Sequence, residues 1–127
     1  MLFLVALAAS VPFYAAYRSM EHFLWHWGYG TAIGYLAGAV WAFQRRAPLR
    51  RPLLWPLAAY AWMVVPDLLW LGGLLATGDA WPHQPWMDLF FLHYSLDQTT
   101  WATAAVLPFH VAGLAAWLWA DRRTGQA

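Results

Sequence analysis

The sequence contains no cysteine and no lysine, and it has little charge of any kind. The absence of cysteine excludes disulfide bonds, thiolate nucleophiles and thiolate metal ligands, so any metal would be bound by histidine nitrogen and carboxylate oxygen. Charged residues make up 10% of the chain, whereas a typical soluble domain has about 25%. The net charge of +1 is too small to indicate the basic surface that a nucleic-acid partner requires.

Apolar and aromatic residues are abundant instead: 62% of the 127 residues are hydrophobic, and eleven are tryptophan. A helix needs roughly 20 apolar residues to cross a bilayer. Four segments approach that length, at residues 2–17, 25–43, 53–75 and 101–120. We therefore predict a single-domain, all-α, polytopic membrane bundle of four transmembrane helices. Residues 2–17 also resemble the core of a signal peptide, but no basic residue precedes them, which favours a retained helix.

The arginines predict the orientation of these spans. Six of the seven basic residues follow the second or the fourth predicted span: Arg45, Arg46, Arg50, Arg51, Arg122 and Arg123. Positive residues are retained on the cytoplasmic side of a membrane. The pattern predicts a multi-pass protein of the plasma (inner) membrane, with both termini in the cytoplasm.

Two short stretches place histidine and carboxylate side chains on one helical face. In EHFLWHWGYG, His22 and His26 are four residues apart, and in FLHYSLD the same spacing separates His93 from Asp97. Residues four apart on a helix lie one turn above each other. A single pair of this kind is more often structural, but two pairs on facing helices offer a divalent metal several ligands.

Asp67 is the carboxylate that the sequence places inside a predicted span. It follows Pro66, which donates no hydrogen bond to the helix and frees the carbonyl of Trp62. A carboxylate inside a membrane is costly unless it is paired or hydrated. A broken helix beside it is a way to build an intramembrane polar site. A purely structural aspartate, bonded to Arg18 or to a neighbouring helix, is the alternative.

The sequence thus predicts a metal site at the outer end of the bundle, with the ligands His22, His26, Asp67 and His93. Zinc, manganese and iron accept such nitrogen and oxygen ligands, and we predict zinc. Asp97 and Glu21 are the predicted proton acceptors, in the role of a general base.

The second predicted span also carries a packing signal, because Gly30, Gly34 and Gly38 form a GxxxGxxxG pattern. Small residues at this spacing let another helix approach closely. We expect a helix–helix partner on this face, and membrane lipids as the other partners. A short interfacial helix is predicted around residues 87–97, on the outer side.

Three stretches together resemble the small bacterial and archaeal membrane-bound metal-dependent hydrolases: MEHFLWHWGYGTAIGYLAGAV, MVVPDLLWLGG and FLHYSLD. That family is distantly similar to zinc-dependent phospholipases C. By this resemblance His22 matches an early histidine that heads a glycine-rich helix. Asp67 matches the aspartate of a PD motif, and His93 with Ser95 matches a late histidine–serine motif. The resemblance implies a metal-dependent hydrolase.

Two classes of function follow from these observations. The first is a hydrolase at the outer leaflet that cleaves a lipid phosphoester or ester with metal-activated water. The second is a non-catalytic accessory subunit of a larger membrane complex, whose histidines bind lipids, pigments or partner helices. Chelators and variants of the metal ligands distinguish the two hypotheses.

Overall fold

The computed structural model describes residues 20–71, 85–97, 99 and 101–125, and every regular element in them is helical. The elements are α1 (Met20–Arg45), α2 (Leu54–Met63), α3 (Val65–Leu71), a 3-10 helix (Pro85–Leu89), α4 (His93–Asp97) and α5 (Ala102–Gly125). The predicted all-α class is therefore confirmed for this part of the chain. The predicted span at residues 2–17 lies outside the described residues.

Helix α1 is the element against which α2 and α5 both pack. It runs antiparallel to α2, since Gly30 lies against Tyr60 and Gly34 lies against Pro56. It runs parallel to α5, because Trp25 donates a hydrogen bond to the Thr103 hydroxyl near the start of that helix and Phe43 stacks on Trp119 near its end. The C-terminal ends of α1 and α5 are consequently at the same end of the bundle.

The glycines of the GxxxGxxxG face are positions where α1 and α2 approach closely. A Cβ built at Gly30 would lie 2.9 Å from the Cα of Tyr60, and one at Gly34 would overlap the backbone of Trp55 and Pro56. Only a glycine fits so close an approach of two backbones. In the structure, α2 of the same chain lies against this face.

The predicted span at residues 53–75 is divided into two helices in the structure. Helix α2 has 10 residues and α3 has 7, and Val64 lies between them. The proline at position 66 has no N–H for the carbonyl four residues before it, so the regular helical hydrogen bonding is interrupted at this point. Neither piece alone has the length that a membrane crossing requires.

Among the described residues, one helix is both long and apolar enough to cross a membrane, and that helix is α5. It exposes large apolar side chains such as Leu107 and Val111, which a lipid environment would cover. Helix α1 has sufficient length at 26 residues, but its histidine, glycine, tyrosine and tryptophan content lowers its hydropathy. The predicted arrangement of four transmembrane helices is therefore not supported.

The predicted interfacial helix at residues 87–97 is also divided. The 3-10 helix ends at Leu89, and α4 begins at His93. Between them Phe91 and Leu92 adopt φ values of 55° and 62°. The left-handed region is costly for residues with a Cβ and does not continue a right-handed helix. This turn separates the two short helices and directly precedes the buried His93.

The apolar core lies at the same end of the bundle as the histidines. Its buried members come from α1, α2, α4 and the start of α5: Tyr29, Met63, Leu96 and Ala102. The Tyr29 hydroxyl donates a 2.7 Å hydrogen bond to the carbonyl of Ala102, so the polar tip of this buried ring is satisfied. The core therefore fixes the relative positions of the helices that carry the candidate site.

Candidate metal centre

The structure brings the predicted metal ligands together in one buried cluster: His22, His26, Asp67 and His93. The two histidines of α1 lie one turn apart near its N-terminal end, and α3 supplies the aspartate from its first turn. Helix α4 contributes its first residue, the third histidine. Side chains from three separate segments, 26 to 71 residues apart along the chain, thus converge at one end of the bundle, which we call the histidine end.

Asp67 is the hub of this cluster. Its Oδ2 atom is 3.1 Å from Nδ1 of His26 and 3.4 Å from Nε2 of His22. The His26 ring stacks on the His93 ring with 4.7 Å between centroids, and the His22 and His26 centroids are 4.2 Å apart. One carboxylate oxygen is therefore shared by two imidazoles, and the third imidazole closes the cluster.

The spacing of the donor atoms is suitable for a divalent ion. One potential ligand atom from each of the four residues lies within 4.8 Å of the others. Bonds of about 2.0–2.2 Å in a tetrahedral zinc site place neighbouring donor atoms roughly 3.3–3.6 Å apart. The two distances to Asp67 already fall near this range, so these residues are close enough to bind a metal ion.

The break between α2 and α3 also orients His93. Its Nδ1 lies 3.3 Å from the carbonyl oxygen of Met63, the last residue of α2. A carbonyl only accepts, so Nδ1 carries the proton and Nε2 carries the lone pair. A hydrogen bond from one ring nitrogen to a backbone carbonyl is how metal-binding histidines are usually held in the required tautomer.

Burial keeps His93 neutral. Desolvation, followed by the neighbouring His26, lowers the pKa of the His93 imidazole from 6.5 to about 3. A neutral imidazole is the form that binds a metal. The side chain therefore has the protonation state that a ligand needs across the physiological pH range.

A carboxylate outside the cluster positions α4. Asp88 accepts a 2.8 Å hydrogen bond from the backbone N–H of Ser95 and a 2.6 Å bond from its hydroxyl. The side chain thus caps the first turn of α4, which has its own unpaired N–H groups to satisfy. Ser95, which the family resemblance associates with the late motif, is in this way an anchor for the helix that carries His93.

Solvent access to the cluster is small. Asp67 and His93 are 0% exposed, His26 is 1% exposed and His22 is 7% exposed. A buried carboxylate and three buried imidazoles are costly to desolvate unless they compensate one another or bind an ion. His22 is the member nearest to bulk water.

The remaining predicted site residues are not part of the described cluster. The side chains of Glu21 and Asp97 lie outside the part of the chain that the structure describes, so their predicted role as proton acceptors stays a prediction. The fifth histidine, His110 of α5, lies elsewhere. It is 2.9 Å from the Thr31 hydroxyl and stacks on Trp27, so it serves the α1–α5 contact.

Two contributors escaped the prediction from sequence: the carbonyl of Met63 and the carboxylate of Asp88. The first is a backbone group, whose availability depends on where α2 ends. The second lies inside the interfacial helix predicted at residues 87–97, whereas in the structure it caps α4. The Pro66 break was the available signal for the first, and a carboxylate seven residues before a serine is too weak a signal for the second.

No protein-family model, curated protein or solved structure matches this chain. The resemblance to membrane-bound metal-dependent hydrolases therefore stays a prediction that rests on short motifs.

Proposed function

We propose that the protein is a membrane protein with a divalent metal centre, zinc being the first candidate, and that it acts as a metal-dependent hydrolase. The observation that carries this proposal is the convergence of His22, His26, Asp67 and His93 within 4.8 Å. Three imidazoles and a carboxylate form the nitrogen and oxygen donor set that zinc accepts. A softer, thiolate-preferring metal is disfavoured, since the chain has no cysteine.

The membrane part of the proposal extends beyond the one helix that meets the length and composition of a span. We propose that α1 crosses the membrane beside α5, with the broken α2–α3 pair packed against it. The arginines at the C-terminal ends of α1 and α5 would then face the cytoplasm. The histidine end would face the outer leaflet of the inner membrane.

Hydrolysis would require the cluster to do more than hold an ion. A bound divalent ion supplies a Lewis acid that polarises a phosphoryl or ester oxygen and acidifies water. The chain itself must accept a proton, and Glu21 and Asp97 are the carboxylates that we assign to this role. His22 is the most exposed of the ligands at 7% and marks the side from which substrate and water would enter.

A lipid is the substrate class that the surroundings favour. An apolar groove of about 520 Å³ runs between α1 and α2 and is lined at one end by Trp62 and Phe91. Trp62 precedes the residue whose carbonyl holds His93, and Phe91 lies two residues before that histidine. An acyl chain in this groove would place its head group towards the histidine end.

One observation favours the alternative, a non-catalytic accessory subunit. Four protein ligands complete a tetrahedral zinc site, and closed sites of this kind are structural, whereas catalytic sites keep an open position. The near-complete burial of Asp67, His26 and His93 is in agreement with a closed site. In this alternative the metal would hold α1, α3 and α4 together for assembly with a partner.

Metal content is the first test. The full chain, purified in detergent without chelators, is analysed by mass spectrometry for bound metals, beside Asp67→Asn and Asp121→Asn. We expect about one equivalent of zinc in the wild type, as a single four-ligand cluster implies, and the same amount in Asp121→Asn, which changes a carboxylate at the far end of α5. Asp67→Asn should lose the metal. Equal metal content in Asp67→Asn and wild type, or none in either, contradicts the proposal.

Turnover then separates hydrolase from accessory subunit. The zinc-loaded protein is incubated with phospholipid and simple ester substrates, beside Glu21→Gln and Asp97→Asn. The hydrolase proposal expects metal-dependent turnover that one of these variants loses while it retains zinc. Zinc that resists removal, without turnover of any substrate, supports the accessory subunit.

A further inference from the structure

The end of the bundle opposite the histidines carries a second apolar groove. It lies between the C-terminal halves of α1 and α5 and has a volume of about 510 Å³. Its lining is almost wholly apolar and includes Val40 and Phe43 from α1 and Ala116 and Trp119 from α5. The volume is within the range of about 300–1,000 Å³ that is usual for ligand sites.

Arginines follow the lining residues of this groove on both helices. The lining residues Ala116, Trp119 and Ala120 follow the three- and four-residue spacing of a helical face, and Arg123 is the next residue on that face. Its guanidinium carbon lies 5.9 Å from the centre of the Trp119 ring. On α1 the lining ends at Gln44, directly before Arg45 and Arg46.

These arginines are exposed and available to a ligand. Arg45, Arg46, Arg122 and Arg123 are all exposed. Within the described part of the chain, no ion pair neutralises any of them. Asp121 is the one carboxylate that the described residues place at this end.

Arg46 occupies an unusual position for an arginine. Its φ is 50°, and the flanking bonds, from the Arg46 N–H to the Phe43 carbonyl and from the Ala47 N–H to the Ala42 carbonyl, form a Schellman cap. Glycine is the residue that this left-handed position favours. The positive-inside rule explains an excess of arginine at a cytoplasmic end, but it does not require arginine at a position that favours glycine.

We propose that this groove binds one anionic phospholipid, with an acyl chain between α1 and α5 and the phosphate against Arg46 and Arg123. Charge complementarity carries the choice of ligand. The groove is apolar along its length and cationic only at its mouth, which matches a long apolar tail that ends in an anionic head group. Basic pockets between membrane helices on the cytoplasmic side bind anionic lipids for the same reason.

Native mass spectrometry of the full chain in detergent tests this proposal. Phosphatidylglycerol and phosphatidylcholine with identical acyl chains are added at equal concentration, and bound lipid is counted for each. We expect one tightly retained phosphatidylglycerol and a preference over phosphatidylcholine of about tenfold or more, the order that two arginines near a phosphate provide. Equal retention of both lipids overturns the proposal.

Variants locate the lipid. Arg46→Gly and Arg123→Gln should each reduce the preference for phosphatidylglycerol, and Arg46→Gly should fold at least as well as wild type, since glycine suits that φ. The control Arg50→Gln with Arg51→Gln removes two charges from the same end without touching the groove, and it should retain the preference. A loss in this control equal to that in Arg123→Gln would overturn the site in favour of a diffuse basic surface.

A substitution that fills the groove tests whether the acyl chain lies there. Ala116→Phe places a ring in the groove while all arginines remain, and it should reduce the retention of both lipids. Unchanged retention in this variant overturns the tail position. Dimers that bind no lipid would also overturn the proposal, since a second copy of the chain would then cover the groove.

Discussion

Ionisable side chains are buried at one end of the bundle and exposed at the other. At the histidine end, the imidazoles and carboxylate of His22, His26, Asp67 and His93 converge and are at most 7% exposed. At the other end, roughly 30 Å away along α1, the arginines remain exposed. We call this second end the arginine end, after Arg45, Arg46, Arg50, Arg51, Arg122 and Arg123.

The difference follows from the charge that each side chain carries when it is removed from water. An imidazole is neutral without its proton, and it also compensates a carboxylate by donating a hydrogen bond to it. A guanidinium cannot lose its charge in a protein and must keep water or an anion beside it. Histidine and aspartate can therefore form a buried site, whereas arginine forms a surface site that recruits an anion.

Removing the hub of the histidine end should have the largest effect on stability. Asp67→Ala leaves the imidazoles of His22 and His26 buried without the carboxylate that they share. We expect the metal-free protein to lose about 3 kcal/mol or more of unfolding free energy, the cost of breaking a buried, hydrogen-bonded charge pair. Unfolding in detergent by denaturant measures this loss.

The matched control is Asp121→Ala, a half-buried carboxylate at the arginine end. Away from buried networks, substitutions usually change stability by about 0.5 kcal/mol or less. Equal losses of unfolding free energy in the two variants would show that the buried carboxylate stabilises the protein no more than the one at the arginine end.

A substitution in the middle of α1, between the two ends of the bundle, should weaken the packing at both ends. Gly34→Ala adds a Cβ that overlaps the backbone of Trp55 and Pro56, so α1 and α2 must separate. Overpacking of this kind costs about 1–3 kcal/mol. We expect a lower melting temperature and weaker zinc binding, because the position of Asp67 depends on α2. Gly125→Ala, which meets nothing within 4 Å, should leave both quantities unchanged.

The hydrogen bonds that position α4 should affect metal affinity without removing a ligand. Asp88→Ala deletes both bonds to Ser95, and Ser95→Ala deletes only the bond from the hydroxyl. Outer partners of metal ligands typically contribute 10–100-fold in affinity. We expect Asp88→Ala to weaken zinc binding by about that factor and Ser95→Ala to weaken it less. Competition with a chelator of known affinity measures both, and a larger loss in Ser95→Ala would contradict this role of Asp88.

Acid should act on the histidine end and leave the arginine end unchanged. The unfolded chain protonates His93 below its ordinary pKa of 6.5, whereas the folded chain does so only near 3. Between these values the unfolded state binds more protons, so the stability of the metal-free protein should fall as pH is lowered. The charges of His26 and His22 lower the pKa of the His93 ring further, and that of Asp67 raises it.

Thermal unfolding of the metal-free protein between pH 7 and pH 4 measures this dependence. His93→Gln cannot be protonated in this range, so its stability should decline less steeply than that of the wild type. Parallel pH profiles of the two proteins would show that His93 is not responsible for the decline.

The smallest expected effect concerns the turn before His93. Leu92 has a φ of 62° and a side chain that is 57% exposed. Leu92→Gly should therefore stabilise the protein, by about 1 kcal/mol or slightly more, because glycine adopts this conformation without strain and little packing is lost. The control is Leu89→Gly, an exposed residue within the 3-10 helix, which should not stabilise. A lower melting temperature for Leu92→Gly would show that the turn needs the leucine side chain.

The sequence alone was sufficient to select the four members of the buried cluster, and it also predicted the helical class; the roles of Glu21 and Asp97 stay predictions. Buried ionisable residues are rare in so apolar a chain, so His22, His26, Asp67 and His93 stood out by chemistry and by helical spacing. The GxxxGxxxG pattern likewise indicated a packing face, because small residues at that spacing allow close helix packing.

Helix continuity was less predictable. Hydropathy treats residues 53–75 as one apolar segment, and Pro66 marks the place where it is interrupted, but the position of α3 against α1 depends on packing. The same holds for residues 87–97, where Phe91 and Leu92 take a conformation that their side chains disfavour. Local propensity cannot indicate such a turn, because contacts elsewhere compensate its cost.

Composition and spacing by themselves determined that this chain forms helices, that its arginines cluster apart from its histidines, and which side chains are candidates to bind a metal. Tertiary structure alone decided that those candidates meet, since the convergence of α1, α3 and α4 depends on a helix break and a left-handed turn. It also decided that Met63 and Asp88 support the site and that a groove lies beside Arg46 and Arg123. The physical reason is separation along the chain. Charge clusters and hydrophobic periodicity are read within a few neighbouring residues, whereas a site is assembled by packing between segments that are distant in the chain.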